Sequence, residues 1–282
     1  MLSQEDFIKD FKSLGLVKGD TVFLRGNIAK LGRMKPRNLF LDSLLAYLGE
    51  EGTVVTLGFS KTFPFYAVDK SYLFTKESPS SSGALSKLFM AYPQCQRSTH
   101  PSHSFLAIGK NAKDILAGHT PQSLSYSPMQ KLIDFKAKMI IFGIVAQSPG
   151  FTTVHFAQEQ LGLTQKSWFK NFFRVYYDAQ GEKKYFKRKD FGGCSAGFAK
   201  FYPYYMEKQV LTIGKLAQAE ALSIEASRAY EIEHKLLAQN PSFHFCDNAL
   251  CLSCRVAWKY DKKYLLNFIV LKLLEKIKRV LK

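Results

Sequence analysis

Five cysteines in 282 residues are too few for a disulfide scaffold. Their placement gives no framework either: Cys95 and Cys194 stand alone, and Cys246, Cys251 and Cys254 cluster late. Nowhere does an apolar run reach the roughly 18 uninterrupted residues a membrane span needs. The stretch from Met1 to Asp6 has neither the basic nor the apolar region of a secretory signal, so a cytoplasmic protein is expected. Acid is the scarce charge: 23 Asp and Glu face 40 Lys and Arg, a net +17. Zinc-finger spacing, RNA-recognition aromatics and a basic zipper are all missing, which sets nucleic acid aside as a partner. What is abundant is apolar material. Hydrophobic residues make up 46% of the chain, with 24 Phe and 14 Tyr, enough for a packed core and too much for a disordered chain.

The order of hydrophobic periods points to layered α/β structure. Ser3 followed by Asp6 has the spacing of a capping box ahead of the Phe7, Phe11, Leu14 stripe. Residues 21–24 read as a strand, 38–48 as a helix and 52–58 as the next strand. Residues 138–145 are apolar between polar flanks, the pattern of a central buried strand. Thr152 opens a helix carrying His155, and residues 174–186 read as a hairpin around Gly181. Residues 210–237 read as helical. The expected fold is a three-layer α/β/α domain with a mixed central sheet over residues 1–242. A Cys-containing, basic amphipathic helical tail follows over 243–282.

Several separated blocks carry more information. Ser78-Pro-Ser-Ser-Ser-Gly-Ala-Leu precedes Arg97-Ser-Thr-His-Pro-Ser-His-Ser-Phe; His119 precedes Ser127-Pro128; the buried strand leads to Thr152-Thr-Val-His155. In this order and spacing they resemble the antibiotic N-acetyltransferase family, typified by aminoglycoside 3-N-acetyltransferases. The resemblance runs from about residue 5 to 240, with Gly214 to Ala219 similar to the family's C-terminal packing helix. It implies an acyl-CoA-dependent N-acetyltransferase that uses acetyl-CoA as co-substrate. Where the family has His-Ser-Ser-Leu after its first strand, this chain has Arg25-Gly26-Asn27-Ile28. That loop is implied to contact acyl-CoA, and backbone N–H groups beside a guanidinium suit a pyrophosphate. Arg97, Ser98, His100 and Ser104 are implied to line the acyl-CoA or oxyanion region. The alternative for these four is a loop knitted together by side-chain hydrogen bonds around Pro101.

Acetyl transfer to an amine needs a proton acceptor, and His155 is the candidate. Its imidazolium needs an orienting carboxylate. The resemblance implies Asp190, while Glu159, at i+4 on the same helix, is the local alternative. The glutamate common three residues after the family's histidine is Gln158 here. Gly193-Cys-Ser195-Ala-Gly197 has the form of a hydrolase nucleophile elbow, but the basic residues before it do not make the buried strand that motif needs, so a tight turn is expected.

His244, Cys246, Cys251 and Cys254 place four soft ligands within eleven residues. The spacing matches neither a zinc ribbon nor a common ferredoxin run. The residue types at Cys246, Cys251 and Cys254 would suit a metal, but none is assigned and the thiols are read as buried or free. Residues 263–282 form a helical pattern with Leu273, Leu274, Ile277, Val280 and Leu281 on one arc and Lys272, Lys276, Arg279 and Lys282 on the other. Such a helix suits an anionic bilayer surface, or packing on the domain or on another chain. A +17 enzyme repels polycations at long range, which favours a phosphate-bearing amino sugar, nucleotide- or lipid-linked, in surface-polysaccharide assembly. An aminoglycoside substrate and a non-catalytic sugar- or nucleotide-binding relative are the alternatives.

Overall fold

The computed structural model describes residues 1–167, 169–190, 193–258 and 262–280. In chain order come α1 (Gln4–Ser13), β1 (Thr21–Gly26), α2 (Leu39–Leu48), β2 (Thr53–Phe59), β3 (Phe63–Pro64), β4 (Leu73–Phe74), α3 (Ala84–Met90), β5 (Gln96–Arg97), β6 (His103–Gly109) and α4 (Ala112–Leu116). Then follow α5 (Pro128–Asp134), β7 (Lys138–Phe142), α6 (Thr153–Gln160), β8 (Phe173–Ala179), β9 (Glu182–Lys187), α7 (Tyr202–Glu207), β10 (Thr212–Leu216), β11 (Ala219–Glu225), α8 (Ala226–Gln239) and α9 (Lys262–Val280).

Seven strands form the central sheet in the order β10-β11-β7-β1-β2-β6-β5. It is mixed: β1 lies parallel to β2 and β7, while β6 and β11 run antiparallel to their neighbours. Period-2 alternation sends the residues of each strand to two separate cores. Val22, Leu24, Ile140 and Phe142 pack under α1, α2 and α3, with Phe7, Phe40, Leu44 and Phe89. Phe23, Met139, Ile141 and Phe105 face the other way, under α4, α5, α6 and α8, with Leu132, Val154 and Leu237. Three layers result. The Ser3–Asp6 capping box forms, each side chain accepting the other residue's backbone N–H.

One stretch departs from the sequence reading. Residues 212–225 are a β-hairpin, not a helix, and Gly214 to Ala219 spans β10, its turn and the start of β11. Alanine, leucine, lysine and glutamate dominate there and favour helix on propensity alone. Pairing of Ala221 and Leu222 with the buried β7 overrides that preference. The turn gave no Gly or Pro signal, because Ala217 itself adopts a positive φ of 52°.

Beyond α8, His244, Phe245, Cys246, Cys254 and Trp258 are buried, and Phe245 and Trp258 belong to the second core. α9 leaves Leu266, Ile269, Leu273, Leu274 and Ile277 exposed. No described helix is long and apolar enough to cross a membrane. Leu281 and Lys282 lie outside the described residues. On the β8–β9 hairpin Lys183, Lys184 and Lys187 are all exposed to solvent.

Candidate active site

A cavity of about 510 Å³ opens where β1 and β2 end and β6 begins, joined by the loop between β7 and α6. Ligand crevices form beyond the carboxyl ends of parallel strands because the chain there leaves the sheet in loops. Arg25 and Gly26 come from the end of β1, Leu57 and Phe59 from β2, His103 from the start of β6, and Ser148 and Thr152 from the loop before α6. His155, Tyr126, Arg188 and Ser195 complete the polar wall. No carboxylate lines the cavity among the described residues.

His155 is half-buried on the first turn of α6. Its ring stacks on Tyr126, centroids 4.8 Å apart, and meets the edge of Phe198 at 5.0 Å. Nδ1 lies 3.1 Å from the Gln158 amide oxygen, a bond that leaves Nε2 with the lone pair. Burial pulls the imidazole down to about 4; the Gln158 bond opposes that and the Arg25 charge adds to it. His155 is therefore neutral at physiological pH.

Neither carboxylate offered by the sequence reading orients this ring. Asp190 accepts a hydrogen bond from Ser125 and pairs with Arg188 at 3.1 Å. Burial alone would raise its pKa, but Arg188 and the Ser125 bond outweigh that and hold Asp190 well below the ordinary range. Glu159 receives the Tyr126 N–H at 3.1–3.2 Å. Among the described residues no hydrogen bond joins either acid to His155.

The residues implied to hold acyl-CoA divide. Arg25 and Gly26 line the cavity, and the Arg25 guanidinium donates to the Gly150 carbonyl at 2.7 Å and to Ser148 Oγ at 2.8 Å. Gly26 has no room for a side chain, since a Cβ would stand 2.5 Å from the Phe142 ring. Asn27 instead caps a short turn by accepting the Ala29 N–H.

Arg97, Ser98, His100 and Ser104 stand apart from this cavity's wall, bonded to one another, to the backbone and to the Ser60 and His119 side chains. Arg97 donates to Ser104 Oγ at 2.8 Å, Gly58 O at 2.8 Å, Ser60 Oγ at 2.9 Å, Lys76 O at 3.0 Å and Ser78 O. Ser98 accepts the Phe105 N–H, His100 accepts the N–H of His103, and Ser104 donates to Gly58 O. The arrangement forms a hydrogen-bonded staple between the loop and β2, and Arg97 and Ser98 also line a separate cavity of about 750 Å³. Polar loop residues that are fully buried mimic a binding site in sequence; His103 and Tyr126, to which the sequence reading gave no role, face the cavity instead. His103 packs edge-on against Phe59 at 4.5 Å and Tyr126 at 5.3 Å. Ser195 also lines the cavity, but it opens a 3-10 turn rather than following a strand.

The family model for aminoglycoside 3-N-acetyltransferase matches residues 25–238. The chain belongs to that family. Among curated relatives, the SPbeta prophage-derived aminoglycoside N(3')-acetyltransferase-like protein YokD of Bacillus subtilis (strain 168) is 26% identical over 186 residues, 56% of this chain and 65% of that protein. Aminoglycoside N(3)-acetyltransferase VII of Streptomyces paromomycinus is 26% identical over 170 residues, 53% of this chain and 58% of its own length. The aligned region thus spans less than two thirds of either relative. The aminoglycoside acetyltransferase AAC(3)-IVa apoenzyme shares the fold, with a TM-score of 0.74 at 20% identity over 90% of this chain and 96% of the other. The YokD structure gives a TM-score of 0.68 at 20% identity, covering 85% and 100%.

Proposed function

We propose that the protein transfers the acetyl group of acetyl-CoA to an amine of an amino sugar, with aminoglycosides as the substrate class. The observation that carries this is His155, neutral and held by Gln158 through Nδ1, in a cavity at the carboxyl ends of the sheet. The amine nitrogen attacks the thioester carbonyl, the C–N bond forms, and the C–S bond breaks to release the CoA thiol. An imidazole with a pKa near 4 is too weak to deprotonate a free ammonium. It is matched to the far more acidic nitrogen that exists once the C–N bond has begun to form. Names of family relatives support the substrate class, and related structures hold CoASH in one case and sisomicin in another.

A second groove, of about 890 Å³, suits the phosphate-bearing co-substrate. Arg33, Lys35, Arg37 and Lys87 surround an apolar floor of Ile28, Met34 and Leu88, with no acidic side chain among its described lining residues. It adjoins the cavity in sequence: Gly26 and Leu85 line the first, Ile28 and Ala84 the second. Cations there favour pyrophosphate and phosphate oxygens.

One observation favours a second reading of the acceptor. The cavity offers Arg25 and Arg188 and no described carboxylate, a poor match to a polycation and a better one to a phosphate-bearing amino sugar. The exposed apolar side chains of α9 beside Lys272 and Lys276 would rest such an enzyme on an anionic membrane surface. Thiol release from acetyl-CoA, compared across kanamycin-type amines and nucleotide-linked amino sugars at two ionic strengths, tests both. Fastest turnover with the aminoglycosides supports the lead reading; faster turnover of a nucleotide-linked amine replaces it. Absence of thiol release with every amine, and no acetyl-CoA binding at millimolar concentration, would leave a non-catalytic relative. Flotation with anionic liposomes, with and without residues 263–282, decides the membrane part, since equal binding by both forms removes it.

A further inference from the structure

We propose that Cys194, Cys246, Cys251 and Cys254 together hold one structural zinc ion. Their four sulfurs lie within 4.8 Å of one another. Four thiolates at about 2.3 Å from a central tetrahedral zinc are about 3.8 Å apart, so binding needs a contraction of an ångström at most. All four are free thiols in this structure. A multinuclear iron–sulfur cluster places its cysteines on different irons and spreads them more widely, so the close set fits a single ion.

The set is drawn from two distant parts of the chain. Cys194 lies in the segment after β9, whereas Cys251 and Cys254, spaced as Cys-x2-Cys, lie at the entry to the π-helical turn Ser253–Ala257 with Cys246 just upstream. Only the fold makes them a quartet, and Cys95 is excluded from it. The surroundings suit a tetrathiolate. Four thiolates around a divalent ion leave a net charge of −2. Arg255, bonded to the Cys246 carbonyl at 2.7 Å, brings a cation to this segment; Lys200, bonded to the Phe245 carbonyl at 2.7 Å, is itself paired with Asp247. The Ala196 N–H donates to Cys194 Sγ at 3.4 Å, a contact that steadies a metal-bound thiolate.

The ion has a task in the fold. Gly193 and Ser195, on either side of Cys194, line the central cavity. Gly193 packs so closely on Trp258 that a Cβ would stand 2.4 Å from the indole Nε1. A clip joining Cys194 to the 246–254 segment fixes that wall of the cavity from behind. With four protein ligands the ion has no open position, and acetyl transfer does not pass through it.

The test begins with wild-type protein, purified without chelator and measured by elemental analysis. About one zinc per chain is expected, retained in Cys95→Ser and lost in Cys251→Ser and Cys254→Ser. Replacement by Co(II) in the wild type should give the visible d–d bands and sulfur-to-cobalt charge transfer of a tetrahedral thiolate site, a readout independent of whether any variant folds. Chelator should lower the melting midpoint by about 5–10 °C and expose four further thiols to alkylation. Folded, metal-free wild type whose thiols react without chelator would overturn the proposal. So would two disulfides by mass, or iron in place of zinc.

Discussion

His155 Nδ1 lies 3.1 Å from the amide oxygen of Gln158, its neighbour one helical turn away, so a neutral side chain and not a carboxylate orients the imidazole. Gln158 is itself buried, and its amide nitrogen has no hydrogen-bond partner among the described residues. Replacing that nitrogen with oxygen costs no existing bond. Gln158→Glu should therefore place a carboxylate on Nδ1 and raise the His155 pKa by about one unit or more. The acid limb of kcat/KM should move to higher pH with it. NMR titration of the ring checks the first effect and the pH–rate profile the second; an unmoved titration would dismiss Gln158 as the orienting residue.

Removing the imidazole tests the proton acceptor directly. His155→Ala should lower kcat roughly 10²–10⁴-fold, with KM for acetyl-CoA much less affected. The ring also stacks on Tyr126, so urea unfolding must accompany the kinetics. Unchanged kcat in a folded variant would take His155 out of the chemistry.

Arg97 makes the opposite case, a residue whose sequence context suggested a ligand site and whose bonds are internal. Its guanidinium reaches five oxygen acceptors, three of them backbone carbonyls of β2 and the 76–78 loop, plus the hydroxyls of Ser60 and Ser104. An ammonium cannot span that fan. Arg97→Lys should cost about 3 kcal/mol in urea unfolding, since each acceptor left dry costs about 1–3 kcal/mol before relaxation. KM for acetyl-CoA should stay within about threefold. A large KM effect with intact stability would return Arg97 to the binding site.

What sequence could and could not reveal follows from range. The capping box, the central strand β7 and the helix carrying His155 rest on contacts between near neighbours, and local periodicity records them. The β10–β11 hairpin depends on pairing with β7, some eighty residues earlier, and its composition points the other way. Cys194 joins the late cysteines only through the fold, whereas spacing along the chain had grouped those three with His244, which is not part of the quartet. Asp190 was placed by family spacing, which carries no information on which side chain Ser125 and Arg188 would engage.

Glu233 supplies a prediction about pH. It is fully buried on α8, where its Oε1 accepts the Tyr205 hydroxyl at 2.5 Å and Thr153 Oγ1 at 2.9 Å while Oε2 has no partner among the described residues. Burial pushes its pKa up to about 8, with those two bonds opposing the shift. Between its ordinary value of 4.5 and about 8 the folded protein holds one proton more than the unfolded chain. Stability must then fall as pH rises through that window, by up to about 1.4 kcal/mol per unit. His100 and His155, both lowered to about 4 chiefly by burial, act in the other direction: below about 6.5 the unfolded chain takes up their protons first, and stability falls with falling pH. Comparing wild type with Glu233→Gln cancels the histidines, which both proteins share. The glutamine should be nearly neutral at pH 5 and stabilising by about 2–4 kcal/mol at pH 8.5, because it keeps an uncharged acceptor for Tyr205 and Thr153 without the cost of ionisation. Urea midpoints at the two pH values give the answer, and parallel pH dependence of the two proteins would show that Glu233 is not the buried acid responsible.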